Sequence, residues 1–550
     1  MTRIVQNTWK LLTQRERKRF LLLTLLDIII SFVDIASLAA LLFIVQLYIQ
    51  PHQAHASFVP LWVSASNTVL IAGFLVFFCL KNILAIMVSR KEFDFIGEVA
   101  VRISAIHLQQ YQQAPFSEFI DVNSSVQIRK IAFQPFEFCQ YVLQGMQQLI
   151  AQSFLIAATL AGIIAFNARI FLLLLLILAP PVAGVFYLMK KKLAKSRAGI
   201  RSANERSFEH LLDALKGYVE GNIYDRNDFF KDRFVHHRKK FSTHLFDSLG
   251  IQAMPARIIE MFAIAGLFIL IFFAQSTGSK DAFLLVGAFM VAAYKLIPGA
   301  VKLINTSGQI KAYEPSLNEL LKETNITAHE HQQSTNIESI EFKNIVFRYG
   351  EIPVLENLNF TINAGDLVGI TGRSGRGKTT LLNILLGFLE NETGEIRVND
   401  AAVGMQERRA FWPSIAYVRQ QSFLVNESII KNITLQEEAP DEKKLQRALE
   451  VLGLDALLCT FPEGGKKLVS ENGKNISGGQ QQRIALARAI YKDAQLLLMD
   501  EPFNELDQAS VQQLLCHFRQ LANEGKIVVL ITHDQNSLSH CNKIISLDEG

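Results

Sequence analysis

The sequence predicts two fold classes in one chain: an all-α membrane half of about six spanning helices, then an α/β half built on a phosphate-binding loop. Three observations carry this prediction. Residues 1–312 contain apolar runs long enough to cross a bilayer. From Ile337 the pattern changes to short strand-like runs alternating with helix-like ones. Gly372-Arg373-Ser374-Gly375-Arg376-Gly377-Lys378-Thr379 reads G-x-x-x-x-G-K-[ST], with an apolar strand-like run before it and a helical run from Thr380 after it.

Composition agrees. A chain of 550 residues is too long for one core, half of it is hydrophobic, and it carries 39 Phe. A net charge of +4 makes no case for nucleic acid as a partner. Basic residues gather beside apolar runs, as at Lys190, Lys191 and Lys192, which suits a cytoplasmic membrane face. The five cysteines have no metal-type spacing and read as reduced, unpaired thiols. The first apolar run is too long for a signal peptide and lacks a cleavage site. The expected domains are 1–312 (transmembrane), 313–336 (linker) and 337–550 (nucleotide-binding).

In order, residues 1–19 are basic and polar, an interfacial lead-in. The expected spans are about 20–48, 68–87, 141–166, 170–189, 258–274 and 283–304. Lys and Arg are sparse in the loops at 49–60, 167–169 and 275–281 and dense in 88–140 and 190–255, so both termini are expected in the cytoplasm. The two long inner segments show helical periodicity, with breaks near 115–124 and 220–227 that fit either short transverse helices or plain turns. Few ionisable residues fall inside the spans. Lys81, Arg257 and Lys295 are candidates to line a water-filled path and meet an anionic substrate. Pairing with acids such as Asp34, or snorkelling to an interface, is the alternative reading.

In the second half, residues 340–349 alternate like a strand and end in Tyr349, about twenty residues before the loop and suited to stack on a base. The glycines of the loop let backbone N–H groups close around phosphate, Lys378 would reach the β- and γ-phosphates, and the Thr379 hydroxyl would ligate Mg²⁺. Leu496-Leu-Leu-Met-Asp500-Glu501 is an apolar strand ending in acid. Asp500 suits Mg²⁺, and Glu501 suits polarisation of an attacking water. Ile476-Ser477-Gly478-Gly479-Gln480 opens a helix and is a second anion-binding turn. One loop and two phosphate-cradling turns in one chain suggest that the turns face each other across a dimer.

With these motifs in hand, residues 337–550 resemble the nucleotide-binding domain of ABC transporters. Ile476–Gln480 matches the LSGGQ signature with Ile for Leu, Gly372–Thr379 matches Walker A, and residues 496–500 match Walker B. Glu501 matches the catalytic glutamate, Gln420 the Q-loop (with Arg419 where Pro is common) and His533 the switch histidine. Tyr349 matches the base-stacking aromatic, and Ser470-Glu471-Asn-Gly473 resembles the exporter-type segment before the signature. Asn504-Glu505-Leu-Asp507 matches the D-loop SALD with Asn-Glu in place of Ser-Ala. The first half is similar to the exporter-type six-helix transmembrane domain, and most like bacterial lipid-linked oligosaccharide flippases on the strength of Trp9-Lys-Leu-Leu and Ala292-Ala-Tyr-Lys-Leu-Ile-Pro298.

The resemblance implies ATP and Mg²⁺ as ligands, the latter at Thr379, Gln420 and Asp500. It implies catalysis through Glu501, His533 and Gln420, and nucleotide contacts from Tyr349, residues 372–380 and Ser477, Gly478, Gly479 and Gln480. Arg373 and Arg376 are expected to turn their side chains to solvent. It further implies a homodimer in the plasma (inner) membrane with composite ATP sites, coupling helices at the two breaks, and export or flipping of an amphipathic, anionic lipid-linked oligosaccharide. Export of another lipid, a drug or a peptide is the alternative, as is an ATP-gated membrane protein that does not pump. An importer and a built-in N-terminal peptidase are not expected.

Overall fold

The computed structural model describes residues 2–49, 67–114, 116–121, 123–166, 168–276, 282–323 and 336–548. The chain forms two compact units, residues 1–114 with 118–328, and residues 115–117 with 329–550.

The first unit is helical. Its elements are α1 (Thr2–Leu11), α2 (Gln14–Ile49), α3 (Asn67–Gln113), α4 (Phe116–Asp121), α5 (Ser124–Ile128), α6 (Gln134–Glu137), α7 (Gln144–Phe166), α8 (Ala168–Lys216), α9 (Tyr218–Ile223), α10 (Asn227–Ser276), α11 (Ala282–Ala312) and α12 (Glu314–Glu323). The expected spans fall on α2, α3, α7, α8, α10 and α11. Among the described residues, 14–37, 70–113 and 227–269 are long and apolar enough to cross a membrane. In the most apolar window of α3 no apolar residue is buried within the protein. A face of Leu75, Val76, Phe77 and Leu80 left open is what lipid requires and what water penalises.

The long helices run past the apolar runs into polar sequence, as periodicity predicts. α8 reaches Lys216 and α10 starts at Asn227. Short helices α4 and α9 occupy the two sequence breaks. Around Pro135 the helix is wound more loosely, with π turns at Arg129–Phe133 and Phe138–Leu143. Proline cannot donate to the carbonyl four residues back, and the wider turn absorbs the mismatch.

One difference from the sequence reading is instructive. Residues 313–336 read as linker, yet residues 314–323 form α12. Leu317 and Leu320, one helical turn apart, are buried in a core with Ile4 and Leu11 of α1 and with Phe95, Phe138 and Val142. Polar composition hid this short apolar stripe. Arg102 closes the α1–α2 corner by gripping Glu16 with two hydrogen bonds, 2.7 and 2.9 Å, and donating to Leu11 O at 3.0 Å. Glu319 of α12 pairs with Arg201 at 2.5 Å and Arg129 at 3.3 Å.

The second unit contains two sheets. Strands β1 (Ser339–Tyr349), β2 (Ile352–Asn363), β4 (Thr393–Val398) and β5 (Ala401–Ala402) form an antiparallel sheet in the order β2-β1-β4-β5. Strands β3 (Leu367–Thr371), β6 (Ile415–Val418), β7 (Leu496–Asp500), β8 (Ile527–Ile531) and β9 (Lys543–Ser546) form a parallel sheet in the order β6-β7-β8-β3-β9. Around them lie α13 (Lys378–Leu385), α14 (Met405–Arg408), α15 (Ile429–Thr434), α16 (Glu442–Val451), α17 (Leu454–Thr460), α18 (Gly478–Lys492), α19 (Gln508–Asn523) and α20 (Gln535–Ser539). Phe116 groups with this unit and stacks on Phe388 at 4.6 Å.

The parallel strands are apolar without interruption because both faces are covered. Leu497 and Met499 enter one core, and Leu496 and Leu498 the other. Register then fixes the site. Ile370 lies beside Ile531, Ile531 beside Asp500, and Val418 beside Met499. The loops after β3, β6, β7 and β8 therefore leave the same edge of the sheet, the usual ligand edge of a parallel sheet.

Asn432 holds the approach to this edge. Its side chain is fully buried, accepts from Val425 N at 2.9 Å and donates to Val425 O, Glu427 O and Ser428 O at 3.0–3.2 Å. Asn432→Ala leaves these groups unpaired and is expected to cost about 2–4 kcal/mol. The check is thermal unfolding of the purified chain. An unchanged melting temperature would show that water replaces the amide.

Candidate functional site

The loop between β3 and α13 is built for an anion. Gly375 and Gly377 have φ of 83° and 85°, a left-handed backbone that side chains resist. A Cβ on Gly377 would also lie 2.6 Å from Val354 Cγ1, so the loop packs directly on β2. That contact sets it beside the β1–β2 turn, where Tyr349 is half exposed with its ring edge-on to Phe347. Lys378 is only 8% exposed and donates from Nζ to Gly372 O (2.7 Å) and Arg373 O (3.1 Å). Among the described residues no carboxylate lies within ion-pair distance of it. A buried ammonium held by neutral carbonyls is a fitting partner for phosphate. Arg373 donates its backbone N–H to Asp548, and the half-exposed Arg376 side chain lies 3.6 Å from the same carboxylate. Ser374 is exposed and Thr380 is buried in α13.

Thr379 Oγ1 donates to Asp500 Oδ2 at 2.9 Å. Burial pushes the Asp500 carboxyl above the usual range, the Thr379 bond pulls it back, Glu501 adds to the rise, and Lys378 opposes it. Hydroxyl, carboxylate and the nearby Gln420 amide are hard oxygen donors, which suits Mg²⁺ shared with phosphates. No group of three His, Cys, Asp or Glu residues among the described ones offers a self-sufficient metal site. Burial and Asp500 raise the neighbouring Tyr417 hydroxyl to about 12, so it stays protonated.

Glu501 is the convergence point. Gln420 Nε2 donates to its Oε2 at 2.8 Å, Asn504 Nδ2 donates to the same oxygen at 2.9 Å, and His533 Nε2 lies 3.2 Å from Oε1. The three partners come from the loops after β6, β7 and β8. Glu501 itself sits at φ 48°, a left-handed conformation that costs a non-glycine residue about 1 kcal/mol.

The Ser477–Gln480 turn is a capping box. Ser477 Oγ accepts from Gln480 N at 3.3 Å, and Gln480 Oε1 accepts from Ser477 N at 3.0 Å. Gly478 and Gly479 permit close approach of the D-loop. A Cβ on Gly478 would lie 2.8 Å from Glu505 Oε2, and one on Gly479 would lie 2.7 Å from Glu505 O. Among the described residues no hydrogen bond or ion pair links residues 477–480 to 372–380.

Of the three expected substrate cations, two have described side chains. Lys81 is buried and pairs with Asp34 at 2.6 Å. Arg257 has an 83% exposed side chain beside Glu260 at 3.3 Å. Lys295 lies on α11, but its side chain is outside the described ones. Sequence reasoning missed Gln482, one helical turn after the signature, which donates to Pro502 O at 2.9 Å and ties α18 to the residue after Glu501. No spacing rule marks it.

Comparison with known proteins agrees with this geometry. A family model described as "ABC transporter" matches residues 355–504. The chain is 26% identical over 442 residues to an ATP-dependent lipid A-core flippase of Saccharophagus degradans, covering 79% of this chain and 75% of the relative. It is 37% identical over 215 residues to a putative export ATP-binding/permease protein of Rickettsia bellii, covering 38% and 37% of the two chains. The solved structure of a bacterial Atm1-family ABC exporter with ATP bound superposes with a TM-score of 0.76 at 16% identity, covering 98% of this chain and 94% of that one. The matched ATPase segment, the relatives and the shared fold identify the chain as a multi-pass membrane half-transporter of the ABC exporter type, which hydrolyses ATP to drive transport.

Proposed function

We propose that the chain flips or exports a lipid-linked oligosaccharide across the plasma (inner) membrane, as a homodimer with both termini cytoplasmic. The observation that carries the cargo is the likeness to lipid A-core flippases. Its 442 aligned residues are far more than residues 337–550 supply, so the likeness extends into the membrane half. An amphipathic cavity supports it. A space of about 860 Å³ among α7, α10 and α11 is lined by Gln252, Lys302, Asn305 and Gln309 together with Ile264 and Leu267. Lys81, Arg257 and Lys295 belong to the proposal as contacts for the anionic group of the cargo, and Lys81 would exchange Asp34 for it.

In the proposed site, Tyr349 stacks on the base and the N–H groups of residues 372–380 enclose the phosphates. Lys378 trades the carbonyls of Gly372 and Arg373 for phosphate oxygens. Thr379, Asp500 and Gln420 would hold Mg²⁺, which would supply positive charge against the phosphates. Metal affinity then falls as pH falls, because Asp500 must be ionised to bind and burial has already raised it. Glu501 accepts the proton of the attacking water, and His533 holds the other carboxylate oxygen. Ser477, Gly478, Gly479 and Gln480 close on the ATP of the partner subunit.

The test is ATP hydrolysis and glycolipid movement by the chain reconstituted in vesicles, with lipid A-core glycolipid or a polyprenyl-pyrophosphate glycan added. The expected result is a several-fold stimulation and ATP-dependent transfer between leaflets, weakened by K81A and R257A. Hydrolysis that neither glycolipid stimulates or follows would overturn the cargo and leave the ATPase reading intact.

A further inference from the structure

The departure of the D-loop from SALD has a physical counterpart. Asn504 replaces a residue whose side chain has a single hydroxyl, and its longer carboxamide reaches Glu501 Oε2 at 2.9 Å. We propose that Asn504 is a positioning residue for the Glu501 carboxylate, setting its orientation during hydrolysis. The inference rests on the reading of Glu501 as the proton acceptor.

Three features carry it. First, Glu501 needs positioning. Its backbone is in the left-handed region at φ 48°, a conformation that a non-glycine residue keeps only where its surroundings hold it. Second, Asn504 is well placed to supply the support. It lies three residues on in the same loop after β7, in a turn that Leu506 N closes by donating to Phe503 O at 3.0 Å. Gln420 and His533, by contrast, come from loops on other strands and move with those loops. Third, the other donor to Oε2 has competing work. Gln420 bonds Oε2 at 2.8 Å and is also the amide assigned to the metal. When Gln420 turns toward the metal, the Asn504 N–H remains on Oε2. That bond then holds the carboxylate in place.

Glu505, the second departure, has a separate place against Gly478 and Gly479 and makes no part of this contact. It therefore serves as a control within the same loop.

The test uses the purified full chain in lipid nanodiscs, with kcat, KM for ATP and melting temperature measured for Asn504→Ala, Asn504→Asp and Asn504→Ser. Asn504→Ala is expected to lower kcat roughly 10-fold with KM for ATP within about twofold. Asn504→Asp replaces the donor to Oε2 by an acceptor and is expected to lower kcat at least as far. Asn504→Ser is expected to recover part of the loss through its hydroxyl. Wild-type kcat in Asn504→Ala would overturn the proposal. So would wild-type kcat in Asn504→Asp, or losses matched by a fall in melting temperature. The failure of the underlying reading is separately visible: Glu501→Gln would then hydrolyse ATP normally, whatever Asn504 does.

Discussion

Exchanging Glu501 for glutamine is expected to lower steady-state ATP hydrolysis by roughly 10³-fold while nucleotide still binds. The substitution keeps size and shape, so the turn after β7 has no reason to move. What it changes is polarity at two atoms. A carboxylate offers acceptors on both sides, and the structure uses both, with Gln420 and Asn504 on Oε2 and His533 at Oε1. A carboxamide must present N–H₂ to one of these partners and cannot take a proton from water. None of the phosphate-facing groups is touched: Lys378 and Thr379 make no contact with Glu501 among the described residues. The measurement is phosphate release beside equilibrium binding of a fluorescent ATP analogue. Normal turnover would remove Glu501 from the chemistry. Loss of binding as well would make it a structural residue.

Lys378→Met is expected to weaken ATP binding roughly 100-fold, and hydrolysis with it. Methionine fills much of the same buried space, so the packing of α13 on the sheet is largely retained. The ammonium is lost, and with it a charge that, among the described residues, no carboxylate within ion-pair distance offsets. The carbonyls of Gly372 and Arg373 also lose their donor. Binding measured by titration separates this variant from Glu501→Gln, which keeps affinity and loses turnover. Wild-type affinity in Lys378→Met would mean that the backbone N–H groups alone hold the phosphates.

How much of this was legible beforehand follows from how local each signal is. The loop at 372–379 is contiguous, and its glycines and lysine are dictated by the backbone turn they make, so it could be read directly. The spans were legible because bilayer thickness sets a length. Glu501 could be read from the acid that follows an apolar strand, while Gln420 and His533 were reached through resemblance to a known family. Their meeting depends on parallel-strand register, which no short window of sequence carries. Lys81 shows the limit in the other direction. It pairs with Asp34 from another helix, 47 positions earlier, and pattern reading had to leave pairing and substrate contact open. α12 and Gln482 were missed for related reasons, one masked by polar composition and the other defined only by a carbonyl after another strand. Asn504 stood out as a departure from a motif, but its partner became visible only in three dimensions.

The left-handed backbone at Glu501 sets stability and chemistry against each other at one residue. Glycine would relax that turn, yet it would remove the carboxylate on which the three donor loops converge. A population of variants selected for heat resistance alone would drift toward losing this side chain, and only selection on turnover would keep it. The strained residue thus records what the chain has been selected to do, and a left-handed acid at the end of a buried strand is worth seeking in other sequences whose motifs are worn away.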